Sequence, residues 1–168
     1  RDITSEALTQ ACLAEIAGKS EPLCAFITVT GDEALERARA LARELATGDC
    51  RGPLHGIPIS LKDLIDMRGV PTTAASQVRQ GHVASTDAPV TARLLDAGAV
   101  VVGKTNLHEF AFGTTSEDSA YGAVRNPHDP ARSPGGSSGG SAVSIVTGMA
   151  VASIGTDTGG SIRIPSAA

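Results

Sequence analysis

Stretches with apolar residues at helical spacing alternate along this chain with short apolar runs, and the alternation lays out its elements. Leu8, Cys12 and Ile16 return every fourth residue. That spacing predicts a helix capped by Thr4 or Ser5, with Glu6 in its first turn and Gly18 at its end. Residues 25–29, AFITV, predict a short strand. A second helix is expected from Asp32, as its cap, to about Ala46, with Gly48 as its stop. Leu35, Ala38, Leu41, Ala42 and Leu45 form its apolar stripe, and Glu33 and Arg37 are an i,i+4 charge pair in the favourable order. Gly52 and Pro53 then break the chain. Residues 57–62, IPISLK, predict a strand with Pro58 at its start or on a sheet edge. Residues 70–87 hold no sustained period and predict a loop. A helix is expected over 88–97, a strand over 99–102, a short helix over 106–112 and irregular chain over 113–134. A buried helix over 140–148 and a buried strand over 149–154 complete the pattern. Helices alternating with strands predict an α/β fold built on a mixed sheet, with no internal repeat.

Composition narrows the picture. Hydrophobic residues make up 41% of the 168, enough for one domain with a real core. With three Phe, one Tyr and no Trp, that core must be built from Ala, Val, Leu and Ile. A formal charge of -4 gives no electrostatic case for nucleic acid or a membrane surface. No apolar run approaches the roughly 18 residues of a membrane helix. No secretory signal is visible, so a cytoplasmic protein is expected, although a start at Arg1 rather than Met leaves room for a lost leader. Cys12, Cys24 and Cys50 are widely spaced and read as free thiols. The four histidines, His55, His82, His108 and His128, form no metal-type pair, and no metal site is expected.

One motif is a decoy. Residues 98–105, GAVVVGKT, match the P-loop pattern GxxxxGK[ST]. In a P-loop the four variable residues wrap phosphates, whereas Ala-Val-Val-Val favours a strand. The strand should also precede the first Gly, yet residues 88–97 look helical. Gly98 is better read as a helix stop before a core strand. A P-loop nucleotide-binding module remains the alternative from a different functional class.

The chemistry concentrates near the C-terminal end. From Ser133 to Ser161, 15 of 29 residues are Gly or Ser. A flexible linker is the plain reading of such a composition. Against it, residues 142–154 are apolar, Asp157, Arg163 and Pro165 add specific side chains, and Ser137 and Ser161 each follow a Gly-Gly pair, 24 residues apart. A serine nucleophile needs a base, and no histidine is an evident partner. Lys62 is a candidate because it ends the apolar run 57–61. Bringing a lysine from about 10.4 to near 7 takes on the order of 4–5 kcal/mol of differential interaction. The competing reading of Lys62 is a surface lysine at a strand end.

Lys62 in PISLKD, the block PGGSSGGSA at residues 134–142 and GTDTGGSIRIPS at residues 155–166 together resemble the amidase signature family. GVPTTAAS at 69–76, GAVVVGKTNLHEFAFG at 98–113 and YGAVRNP at 121–127 are also similar to it. The resemblance spans about residues 52–168. It implies an amidase-signature fold, a mixed β-sheet core flanked by helices, present here as the N-terminal portion of one domain. Residues 1–50 would form a helical N-terminal region and 51–168 the catalytic core.

The resemblance further implies an amidohydrolase that cleaves a carboxamide C–N bond through a Ser-cisSer-Lys triad. Ser161 would be the nucleophile, Ser137 the bridging serine after a cis Gly136–Ser137 bond, and Lys62 the general base. Backbone N–H groups of Thr158, Gly159, Gly160 and Ser161 would form the oxyanion hole. Ser138 is the rival for the bridging role. Asp157 and Arg163 read first as organisers of the loop and second as substrate contacts. Asn126, Ser133 and Thr105 read as structural. The expected partner is a small-molecule amide, with no cofactor and no metal. A homo-oligomer is an open alternative. Within the same family an amidotransferase A subunit, taking ammonia from glutamine for tRNA-dependent amidation, is the second reading, and only there are partner subunits expected.

Overall fold

The computed structural model describes residues 3–168. Helix α1 (Ser5–Leu23) opens on Thr4, whose hydroxyl accepts the Ala7 N–H at 3.1 Å, as an N-cap should. It runs past Gly18, the expected stop. Gly18 lies on the exposed side, where a helical glycine costs only about 1 kcal/mol, while Ser20 and Leu23 carry the inner face onward. The helix ends at Cys24, which adopts the left-handed conformation, φ 49°.

Strand β1 (Phe26–Val29) leads into helix α2 (Gly31–Ala46). Asp32 is not its cap. Thr30 holds that position, and its hydroxyl donates to Val101 O at 3.0 Å instead of capping. Asp32 and Glu33 sit in the first turn, where the helix dipole favours acidic side chains. Strand β2 (Pro58–Lys62), helix α3 (Pro89–Asp96), strand β3 (Val100–Thr105), helix α4 (Gly139–Val146) and strand β4 (Ala152–Ile154) follow. Residues 70–87 are loop apart from one 3-10 turn, Gln77–Arg79, and a bridge between Pro71 and Val83.

The four strands form one mixed sheet, α/β in class, in the order β1-β3-β2-β4. β1 runs antiparallel to β3, while β3 and β4 both run parallel to β2. Every residue of β2 and β3 is buried, as expected for central strands covered on both faces. Val100 and Val102 face a core shared with Ile16, Ala34, Ala38, Leu41, Val143 and Met149. Val101 turns the other way, with Ile59, Leu61 and Ile65, toward Leu94 and Leu95 of α3. Pro58 does start its strand, but in the sheet interior.

Two further expectations differ from the structure. The short helix over 106–112 is only a 3-10 turn, Glu109–Ala111, with Phe110 and Ala111 at positive φ. Its backbone donors are committed elsewhere: Leu107 N to the Asn106 side chain, His108 N to Ser137 O and Phe110 N to Ala74 O. The strand over 149–154 shrinks to three half-buried residues, which pair with β2 alone among the described residues. Met149 and Ala150 are buried but precede it.

Glycine is required where α4 meets the sheet. A Cβ on Gly140 would lie 2.6 Å from Ala25 O, and closer still to Asn106 O. Only a bare backbone lets the first turn of α4 seat there. Among the described residues no helix is long and apolar enough to cross a membrane.

Candidate active site

Lys62 ends β2 with its side chain fully buried. Its Nζ donates to Ser137 Oγ at 2.7 Å and to Thr156 Oγ1 at 2.8 Å. Burial lowers its pKa from 10.5 to about 8, against the opposing pull of the Asp157 carboxylate. A lysine in this state yields a useful fraction of neutral amine near physiological pH.

Ser137 sits on the turn before α4, after a cis peptide bond from Gly136. Its carbonyl accepts from His108 N at 3.1 Å and from Ser116 Oγ at 3.2 Å. Ser116 Oγ in turn accepts the Gly139 N–H at 3.1 Å. A buried hydroxyl 21 residues upstream thus clamps both sides of the turn. Ser138 points elsewhere: its Oγ donates to Thr156 O at 3.3 Å. Between the rival serines, the one bonded to Lys62 is Ser137.

Ser161 lies on a turn built around Asp157. The Asp157 carboxylate accepts from the backbone N–H of Gly160, Ile162 and Arg163 at 2.8, 3.1 and 3.1 Å. Arg163 adds two side-chain bonds, at 3.0 and 2.8 Å. The guanidinium and these amides hold the Asp157 carboxyl well below the usual carboxylate range. Gly160 takes φ +118°, open essentially to glycine. The turn is tied to the other loop through backbone, with Ser138 N donating to Ser161 O at 3.0 Å. Ser161 Oγ itself makes no hydrogen bond among the described residues. The Gly160 N–H is occupied by Asp157, while the N–H groups of Thr158, Gly159 and Ser161 have no intramolecular acceptor there. No cluster of potential metal ligands occurs among the described residues.

The P-loop reading ends at Lys104. It lies inside β3, fully buried, 3.1 Å from the equally buried Asp63 carboxylate. It also donates to Thr72 Oγ1 at 3.0 Å and Pro71 O at 3.1 Å. Asp63 accepts from Thr73 N and Thr73 Oγ1 at 2.8 and 2.5 Å. This ion pair fastens the 71–75 loop beside the site, and Ala74 O and Ala75 O then hold Phe110 N and Ala120 N, each at 2.9 Å. An ammonium spent in this way has no reach to a phosphate.

Three structural contributors went unseen in the sequence: Thr156, Ser116 and the Asp63–Lys104 pair. Thr156 lies inside the GTDTGGS block, so its place in a motif was visible while its bond to Lys62, 94 residues away, was not.

The family profile described as Amidase matches residues 7–168. The chain belongs to the amidase family. It is 51% identical over 166 residues to a Glutamyl-tRNA(Gln) amidotransferase A subunit of Chloroflexus aurantiacus, covering 99% of this chain and 34% of that protein. Among solved structures, the native peptide amidase of Stenotrophomonas maltophilia superposes with a TM-score of 0.93 at 46% identity, covering 99% of this chain and 35% of that one. The Glutamyl-tRNA(Gln) amidotransferase A subunit of Thermotoga maritima gives 0.79 at 39% identity, covering 96% and 33%. The chain therefore spans about a third of the length of the amidase-family relatives it matches.

Proposed function

We propose that this chain is the N-terminal part of one amidase domain and that the domain hydrolyses carboxamides through an acyl-enzyme on Ser161. The observation that carries the reading is the buried Lys62 amine 2.7 Å from Ser137 Oγ. In its neutral form Lys62 accepts the Ser137 hydroxyl proton while Ser137 accepts that of Ser161. Ser161 Oγ bonds to the amide carbon, and the carbonyl π electrons move onto oxygen. The N–H groups of Thr158, Gly159 and Ser161 are available to that oxyanion, each such donor being worth about 3–4 kcal/mol. Gly160 would join them only by releasing Asp157. Collapse of the intermediate breaks the C–N bond, and the proton on Lys62 returns through Ser137 to the leaving ammonia or amine. Water then adds by the same relay, releasing the acid and restoring Ser161. These steps call for no metal or organic cofactor, and a cytoplasmic setting suits them. Asp157 and Arg163 shape the nucleophile turn.

The test is ammonia release from a panel of small carboxamides by the full-length protein. Ser161→Ala should abolish it; turnover with an undiminished burst of acyl-enzyme in that variant would overturn the reading. A second reading, an amidotransferase A subunit, is favoured by the 51% identity to a protein of that name. The higher TM-score against the peptide amidase favours a free-standing hydrolase over the matched region. Glutamine-dependent activity that requires co-purifying subunits would select the amidotransferase.

A further inference from the structure

We infer that Thr156 is a positioning residue that aims the lone pair of the Lys62 amine at Ser137. A neutral amine has two N–H donors and one lone pair, so it works as a base only when that lone pair faces the proton it must take. Lys62 Nζ has two hydroxyl neighbours at bonding distance, Ser137 Oγ at 2.7 Å and Thr156 Oγ1 at 2.8 Å. When Thr156 accepts one N–H, the lone pair cannot face Thr156, and of the two rotations that remain, the one that receives the Ser137 O–H proton puts the lone pair on Ser137 Oγ. Without that acceptor all three rotations are open, and the share with the lone pair on Ser137 falls.

The fold holds Thr156 firmly in this place. β4 pairs in parallel with β2, with Ile154 opposite Leu61, so the chain leaving β4 passes Lys62. The Thr156 carbonyl accepts from Ser138 Oγ at 3.3 Å. Its side chain is therefore bonded to the base and its backbone to the residue next to the bridging serine. A β-branched side chain adds a stiff first torsion.

This inference rests on the triad reading proposed above. Its test compares Thr156→Val, which keeps the shape and loses the hydroxyl, with Thr156→Ser and Lys62→Ala in the full-length protein. Carboxamide turnover is followed from about pH 5.5 to 10, a range that brackets the lowered lysine pKa of about 8. Wild-type kcat/KM should rise with pH through about 8, where Lys62 loses its proton. Thr156→Val should lower kcat on the order of 10- to 100-fold with KM unchanged. It should also move the rising limb to lower pH, because an acceptor of the charged ammonium has been removed. Thr156→Ser should restore both. A Thr156→Val enzyme with the wild-type limb and kcat would overturn the inference. So would a Thr156→Ser enzyme as impaired as Thr156→Val with the limb unmoved, since that is the pattern of a packing role. Should Thr156→Val not fold, the limb and kcat of Thr156→Ser and Thr156→Ala decide between the same outcomes. Lys62→Ala separates the two levels. Loss of the limb there, with Thr156→Val unaltered, sinks Thr156 alone; a wild-type limb there sinks the triad.

Discussion

Replacing Lys62 by Met should stabilise the fold at neutral pH while removing its chemistry. Methionine keeps most of the length of the side chain, one atom short, and removes the charge. The lysine pKa falls from 10.5 in the open chain to about 8 in the fold because burial disfavours the ammonium. At about 1.4 kcal/mol for each tenfold loss of proton affinity, that fall corresponds to about 3 kcal/mol of destabilisation. The sign follows from proton uptake. Below pH 8 both states are protonated and the full cost is present. Between pH 8 and 10.5 the unfolded chain binds more protons than the fold, so raising the pH relieves the cost. The Met variant also leaves Ser137 Oγ and Thr156 Oγ1 without the amine, a loss of about 1 kcal/mol for each bond. The expected balance is a gain of roughly 1 kcal/mol at about pH 7 that becomes a loss by about pH 10.5. Urea unfolding of both proteins at several pH values reads the difference, in which the other titrating groups cancel. A Met variant whose relative stability does not fall between about pH 8 and 10 would refute the buried, depressed lysine.

Two further substitutions probe the frame of the site. Lys104→Met leaves the Asp63 carboxylate buried without its ammonium and should cost about 3–5 kcal/mol at neutral pH; adding Asp63→Asn should recover much of that in denaturant melts, and equal losses in single and double variants would contradict the pairing. Gly140→Ala forces a Cβ to 2.6 Å from Ala25 O, so the midpoint of thermal unfolding should fall by an amount equivalent to about 1–3 kcal/mol; an unchanged midpoint would contradict the close seating of α4 against Ala25.

What the sequence disclosed and what it hid follow from the range of the forces involved. The strands and the outer helices were legible because their signals are local: an apolar run at 57–61, a β-branched run at 100–102 and an amphipathic stripe from Leu35 to Leu45. Lys62 stood out because it ends an apolar run, and the P-loop match failed on the same local grounds. α1 outran Gly18 because packing of its inner face outweighs one exposed glycine. Residues 106–112 gave a helical pattern, yet their N–H groups bond to Ser137 and Ala74, partners no window of the sequence contains. Thr156 and Ser116 were hidden for that reason, each being recognisable only by a bond across the fold. The cis bond at Gly136–Ser137, expected from the family resemblance, is present in the structure.

In the mechanism proposed above, the proton of the Ser161 nucleophile leaves through Ser137 to a neutral Lys62. The most direct measurement is the rate and location of covalent labelling of the full-length protein by a fluorophosphonate, mapped by peptide mass spectrometry across pH. The predicted result is a single adduct on Ser161, forming at a rate that rises with pH through about 8 and loses that dependence in Lys62→Ala. An adduct on Ser137 or Ser138 instead, or labelling of Ser161 that ignores both pH and Lys62, would contradict it.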